Sequence, residues 1–307
     1  MRNGWTGGQY SLFRVVFAVY LTIYFLGILD RSEVARIFPS PLVRTVLSAV
    51  GVVLCLFFGI GLWDRVAALG LMGLGLCLYG LDVFVDFLLV AHVLIPAAPY
   101  GSWAARGRVD PGGGWRMPPS LFASVRIALI LCYVTLMAHL CCLAHLDFAL
   151  GKLSVVMYHL LAFDPGWIRP LAGGTERLFY DGHCGLCQRS VRLILAEDAT
   201  GAAFRFAPLE GETFAALLSA SEREALPMSL VVQTEKGILL TRSSAVLHVL
   251  RRLGGAWWLF AGVLVLLPAA LRDGLYDSVA RMRHRIFARP VEACPLMPKA
   301  LRSRFDP

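Results

Sequence analysis

Six apolar runs fill the first 165 residues, and they constrain the chain more than any other feature. They cover Tyr10–Leu29, Thr45–Trp63, Val66–Gly80, Val83–Ala98, Leu121–Leu146 and Ala149–Phe163. A helix needs about 20 apolar residues to cross the hydrocarbon core of a bilayer. The first, second and fifth runs are about that long. The third and fourth form a stretch too long for one span and contain Asp82, so two short or tilted helices are expected to turn there. The sixth run holds Lys152, Tyr158 and His159 and reads as a short span or an interfacial helix.

Composition agrees with a membrane protein. Apolar residues make up 57% of the 307 and charged residues only 16%, against about 25% charged in an ordinary soluble domain. A disordered chain, a collagen and a plain soluble enzyme are excluded. The expected architecture is an all-α membrane helix bundle of five or six helices over residues 1–169, followed by a smaller α/β domain over 170–307. Such a chain is a multi-pass inner-membrane protein. The first run is long and no small-residue cleavage site follows it, so it reads as an uncleaved span and not as a signal peptide. The net charge of +8 divides evenly between the two parts. Spread in this way it fits anionic lipid headgroups better than a nucleic-acid stripe, so lipids are an expected partner and nucleic acid is not. Both Asp30–Arg44 and Pro99–Pro119 are basic, so loop charge sets no orientation.

Ionisable residues inside the runs are Arg14, Asp86, His92, Arg126, His139, His145, Lys152 and His159. Such residues are functional candidates in a membrane. The two arginines read more simply as packing residues that snorkel or pair with Asp82 or Asp86. His139 and His145 are six apart and do not share a helix face, which argues against a metal pair within that helix.

Chemistry concentrates after Pro165. Arg177–Tyr180 is β-prone, Asp181-Gly182-His183-Cys184-Gly185-Leu186-Cys187 follows, and Gln188–Glu197 has helical periodicity, with Val191, Ile194 and Leu195 on one face. The order is strand, tight turn, Cys-x-x-Cys, helix. Free N–H groups and the positive dipole end at a helix start stabilise an anion. Cys184 is therefore the expected thiolate nucleophile, exposed at the helix start, and Cys187, one turn on, the resolving thiol. Asp181 is either a general base for Cys187 or a cap of the turn and helix. His183 adds positive charge when protonated. The rival reading is half of a zinc site. No second Cys-x-x-Cys exists, and Cys294 with His183 or His284 would make a scattered ligand set, so a redox pair needing no metal or cofactor ranks first.

The remaining segments follow the same plan. Ala203–Leu209 reads as a strand, Gly211–Ala225 as a helix, and Ser229–Thr234 with Gly237–Thr241 as a hairpin. Ser243 or Ser244 opens a helix that ends at Gly254-Gly255. The β-α-β-α-β-β-α order is thioredoxin-like. In that plan a proline before the third strand, often cis, faces the cysteines, and Pro227 stands there; an ordinary helix-ending proline is the other reading. Trp257–Leu267 is too short to span and packs on the sheet or lies against the bilayer. The next helix carries Arg272, Arg281, Arg283 and Arg285, suited to a headgroup surface.

Two resemblances follow from these residues. Ser11-Leu12-Phe13-Arg14, Gly80-Leu81-Asp82, Gly101-Ser102-Trp103 and Gly151-Lys152 resemble the horizontally transferred transmembrane domain, a relative of the vitamin-K-dependent γ-carboxylase. The likeness is truncated, and carboxylase activity is not carried over with it. The Asp181-x-x-Cys184-x-x-Cys187 signature resembles the DCC family of thiol-disulfide oxidoreductases. So do Arg205–Leu209, Arg242–Ala245, Leu267-Pro268, Leu275–Phe287 and Cys294-Pro295. That resemblance implies a thioredoxin-like fold and an enzyme exchanging thiols and disulfides with a protein or small-molecule substrate. The alternative is a metal-binding or redox-inactive module that docks a partner or senses for the membrane domain.

Overall fold

A computed structural model describes residues 3–27, 32–77, 83–107, 115–142, 153–227, 229–286 and 299–307. Lys152, Asp82, His145 and Cys294 lie outside these residues, as do the side chains of His139, His284 and Arg285. Contacts divide the chain at Asp164–Pro165 into two compact units.

The first unit is helical: α1 (Gly7–Leu26), α2 (Ser32–Ile37), α3 (Pro41–Ile60), α4 (Asp64–Cys77), α5 (Val83–Leu94), α6 (Pro119–Cys142) and α7 (Leu153–Ala162). Thr6 caps α1, its hydroxyl accepting the Gln9 N–H at 3.3 Å. Helices α1 and α3 approach closely because α3 carries glycines at the crossing. A Cβ at Gly51 would meet the Phe25 ring at 2.6 Å, and one at Gly59 would meet Ala18 at 2.9 Å. Around the crossing, Trp5, Tyr10, Phe13, Phe17 and Phe58 are buried. Among the described residues, α1 and α3, 20 residues each, are long and apolar enough to cross a membrane. Their outer surfaces expose Val19, Ile23, Val46 and Val53. Helices α4 and α5 have 14 and 12 residues.

Arg14 is fully buried and pairs with Asp64, while Asp82, one of the expected partners, lies outside the described residues. Its Nη1 lies 3.6 Å from Asp64 Oδ2, and His92 Nε2 lies 3.6 Å from the same oxygen. Tyr10 Oη is 2.7 Å from His92 Nδ1. The reason is the sharp corner after α3, where Gly61 at φ 71° ends the helix against the Arg14 guanidinium and α4 opens at Asp64.

The second unit is built on a mixed sheet. Strands β1 (Glu176–Tyr180) and β2 (Phe204–Pro208) run parallel, joined through α8 (Gly185–Glu197). Strand β3 (Val231–Gln233) is antiparallel to β1, and β4 (Leu239–Thr241) is antiparallel to β3, giving the order β2-β1-β3-β4. In register, Phe179 stands between Ala207 and Val231, and Leu178 between Phe206 and Val232. All six are buried, so the centre of the sheet is covered on both faces.

The helix expected over 211–225 is two short ones, α9 (Glu212–Leu217) and α10 (Ala220–Ala225). Leu218 turns extended, and Ser219 with Glu222 forms a capping box that starts α10 afresh. Three more long helices follow, α11 (Arg242–Leu253), α12 (Gly255–Val265) and α13 (Ala269–Ile286), then the short α14 (Lys299–Arg302). Thr241, not Ser243 or Ser244, is the residue before α11. Ser243 instead donates its hydroxyl to Asp273 Oδ1 on α13 at 2.5 Å.

Helix α12 packs on one side only. Trp257 is buried and its Nε1–H donates to Glu197 Oε2 at 2.7 Å, so Glu197 is drawn inside although its periodicity set it off the buried face. Val263 and Leu266 stay exposed. The chain then bends by 115° into α13. Helix α13 turns its polar side inward. Leu271, Leu275, Val279 and Met282, spaced as one stripe, are all exposed, while Asp273, Tyr276 and Arg283 make contacts within the unit. Arg283, read from sequence as a headgroup contact, is buried, because it reaches a carboxylate inside the unit.

Candidate active site

The site forms where β1 hands over to α8. Tyr180 ends the strand, and Asp181 reverses the chain: its Oδ1 accepts the His183 N–H at 2.9 Å and its carbonyl accepts the Cys184 N–H at 3.3 Å. Gln188 Nε2–H donates to the Gly182 carbonyl at 3.0 Å and fixes the turn to the helix. Cys184 is the N-cap of α8, in extended conformation, and its Sγ accepts the Cys187 N–H at 3.3 Å. The helix cap expected of Asp181 is thus taken by the cysteine itself. The sulfur meets the unpaired N–H groups that stabilise an anion at a helix start.

This geometry alters one expectation. Cys184 is only 1% exposed, whereas Cys187 is half-buried. The N-cap side chain folds back under the first turn to meet the Cys187 N–H, and that takes it off the surface. Burial, together with hydrogen bonding to Cys184 and the charge there, pushes the Cys187 thiol up to about 12. Cys187 thus stays protonated at neutral pH.

The structure adds two residues from α13. Arg283 Nη2–H donates to Asp181 Oδ2 at 3.2 Å, an ion pair in which both side chains are about nine-tenths buried. Tyr276 Oη accepts the Leu230 N–H at 2.8 Å, just before β3. Neither was visible in local spacing. The clue available was their separation of seven, two helical turns, which puts both on one face of α13. His183 is exposed on the turn. Pro227 is half-buried in the loop before β3, and no cis peptide occurs among the described residues. Among those residues no three His, Cys, Asp or Glu side chains converge as metal ligands. Cys184 and Cys187 are free thiols.

A family model supports the chemistry. The DCC1-like thiol-disulfide oxidoreductase model matches residues 178–289, which include the turn, both cysteines and α13 as far as Ile286. The Bacillus subtilis protein YuxK, itself described as uncharacterized, is 33% identical over 130 residues, covering 42% of this chain and 93% of YuxK. The chain belongs to the DCC1-like thiol-disulfide oxidoreductase family. A chloroplastic DCC family protein of Arabidopsis thaliana is 31% identical over 135 residues, 42% of this chain and 77% of that protein. No solved structure matches significantly. The DCC1-like match lies wholly within the second unit.

Proposed function

We propose that this chain is a membrane-anchored thiol-disulfide oxidoreductase whose second unit follows the thioredoxin-like plan. The observation that carries the reading is the Cys184 sulfur serving as the N-cap of α8 and accepting the Cys187 N–H. The Cys184 thiolate attacks a substrate disulfide, forms a mixed disulfide and expels one substrate sulfur as thiolate. Cys187 then loses its proton and attacks Cys184 Sγ. The Cys184–Cys187 disulfide forms, the mixed disulfide breaks, and the second substrate sulfur leaves as thiolate. The substrate gains two electrons and the pair loses two. Asp181 takes the Cys187 proton in this scheme. His183 and Pro227 serve as substrate contacts, and the substrate is a protein or small-molecule disulfide, or a dithiol when the cycle runs in reverse. Reduced full-length protein in detergent, incubated with oxidised glutathione, should form a disulfide between Cys184 and Cys187 that reduced glutathione reverses. Peptide mass mapping reads it, and a pair that stays reduced at every glutathione ratio overturns the reading.

The anchor is the first unit, a multi-pass bundle in the inner membrane related to the horizontally transferred transmembrane domain. Lipid is also a partner of the second unit, through the exposed aliphatic residues of α12 and α13. YuxK consists of little more than the matched region, so residues 165–307 should fold alone. That fragment should bind anionic vesicles and be released by salt, since surface charge is screened over about 10 Å at 0.1 M. Arg281→Gln should weaken binding by no more than about 1 kcal/mol, and Leu275→Glu should weaken it more. A fragment indifferent to vesicles at low salt would sink this part of the proposal.

A further inference from the structure

The thiol site holds an electrostatic conflict. Its working form carries a negative charge on sulfur, yet a buried carboxylate, Asp181, stands beside it. Two like charges out of water oppose each other's ionisation. The titratable and charged groups around the pair are Asp181 and His183 on the turn, Glu210 near Gly182 after β2, and Tyr276 and Arg283 on α13. Among these described groups Arg283 alone bears a fixed positive charge. It is buried, it holds Asp181 Oδ2 at 3.2 Å, and its charge also acts on Cys187.

We propose that Arg283 is the positioning residue that sets the reduction potential of the Cys184–Cys187 pair, by neutralising Asp181 and holding a fixed charge from α13 at the turn that carries the pair. This rests on the thiol-disulfide reading above. The disulfide takes up two electrons and one proton to give the Cys184 thiolate and the Cys187 thiol. The reduced pair is therefore one charge more negative than the oxidised pair. A fixed cation stabilises the reduced pair and raises the potential, while Asp181 pulls the other way.

The test uses the full chain in detergent, equilibrated in glutathione buffers, with the peptide holding both cysteines quantified by mass after alkylation. Arg283→Gln should favour the disulfide at least tenfold, about 30 mV more reducing, and should move the pH midpoint for alkylation of Cys184 upward. Arg283→Lys keeps a charge and should recover most of both shifts. Asp181→Asn should move the potential in the opposite direction. A purely structural Arg283 predicts instead that Lys and Gln alter thermal stability while the potential and pH midpoint stay at wild-type values, and that result overturns the proposal. Should Arg283→Gln fail to fold, Asp181→Asn decides: no shift, or a shift toward the disulfide, overturns it. A wild-type pair that never oxidises would sink the parent reading, whereas a working wild type with unmoved variants sinks only the role of Arg283.

Discussion

Cys187→Ser should lock substrates onto the protein. The variant keeps Cys184 as nucleophile but has no thiol to resolve the mixed disulfide, so covalent adducts accumulate on Cys184 and turnover stops. Cys184→Ser removes the attacking sulfur and should trap at least about tenfold less, because the remaining Cys187 is held protonated by burial. Non-reducing electrophoresis followed by mass spectrometry reads both results. Equal trapping by the two variants would reverse the roles assigned here, and trapping by neither would remove most support for redox chemistry. The wild type carries a pH signature of the same arrangement. Burial, the largest cause of the raised Cys187 thiol, persists in the mixed disulfide, so its attacking fraction is small at neutral pH and grows as pH rises. Resolution should therefore quicken between neutral and mildly alkaline pH, measured as decay of the mixed disulfide in single turnover.

Arg304→Ala should cost the second unit more stability than a surface ion-pair change. Arg304 Nη2–H donates to Asp198 Oδ2 at 2.6 Å and to the Phe204 carbonyl at 2.9 Å, with both side chains buried. Removing one partner of a buried pair leaves the other charged and uncompensated, at about 3–5 kcal/mol. Asp198 also accepts N–H bonds from Thr200, Gly201 and Ala203, which places the loss near the lower end. A loss of about 3 kcal/mol lowers the midpoint of a unit this size by about 10 °C. Thermal unfolding of residues 165–307 followed by circular dichroism reads it. Arg205→Ala, which breaks a half-exposed pair with Asp306, is the comparison, expected to lose about 1 kcal/mol or less. Equal losses would show that burial does not govern the Arg304 pair.

The strand, turn and helix around Cys184 were legible because each is specified locally: a β-prone run, an Asp-Gly reversal and an apolar face at helical spacing. The hairpin of β3 and β4 was legible for the same reason, and so were the apolar helices. Polar pairings were not. Arg283 finds Asp181 across 102 residues, Trp257 finds Glu197 across 60, and Arg14 finds Asp64 at a helix corner. Hydrophobic periodicity reports which side of a helix is oily, and it assigns that side to the core. Helix α13 breaks the assumption, since its oily side is outside and its charged side carries Arg283 inward to Asp181. An inward arginine and a solvated one look alike in a sequence until the partner carboxylate is placed.

Residues 304–307 do more than supply one buried cation. They lie along β2, the outer strand of the sheet: the Phe206 N–H donates to the Arg304 carbonyl and the Asp306 N–H to the Phe206 carbonyl, both at 2.8 Å. Phe305 stacks on Phe206, and Pro307 accepts the Thr213 N–H. The other outer strand, β4, is only three residues long. An open strand edge is a template on which a second chain can add, and crowding raises the risk. With one edge occupied by its own following segment and the other cut short, this sheet offers neighbouring copies little to zip onto.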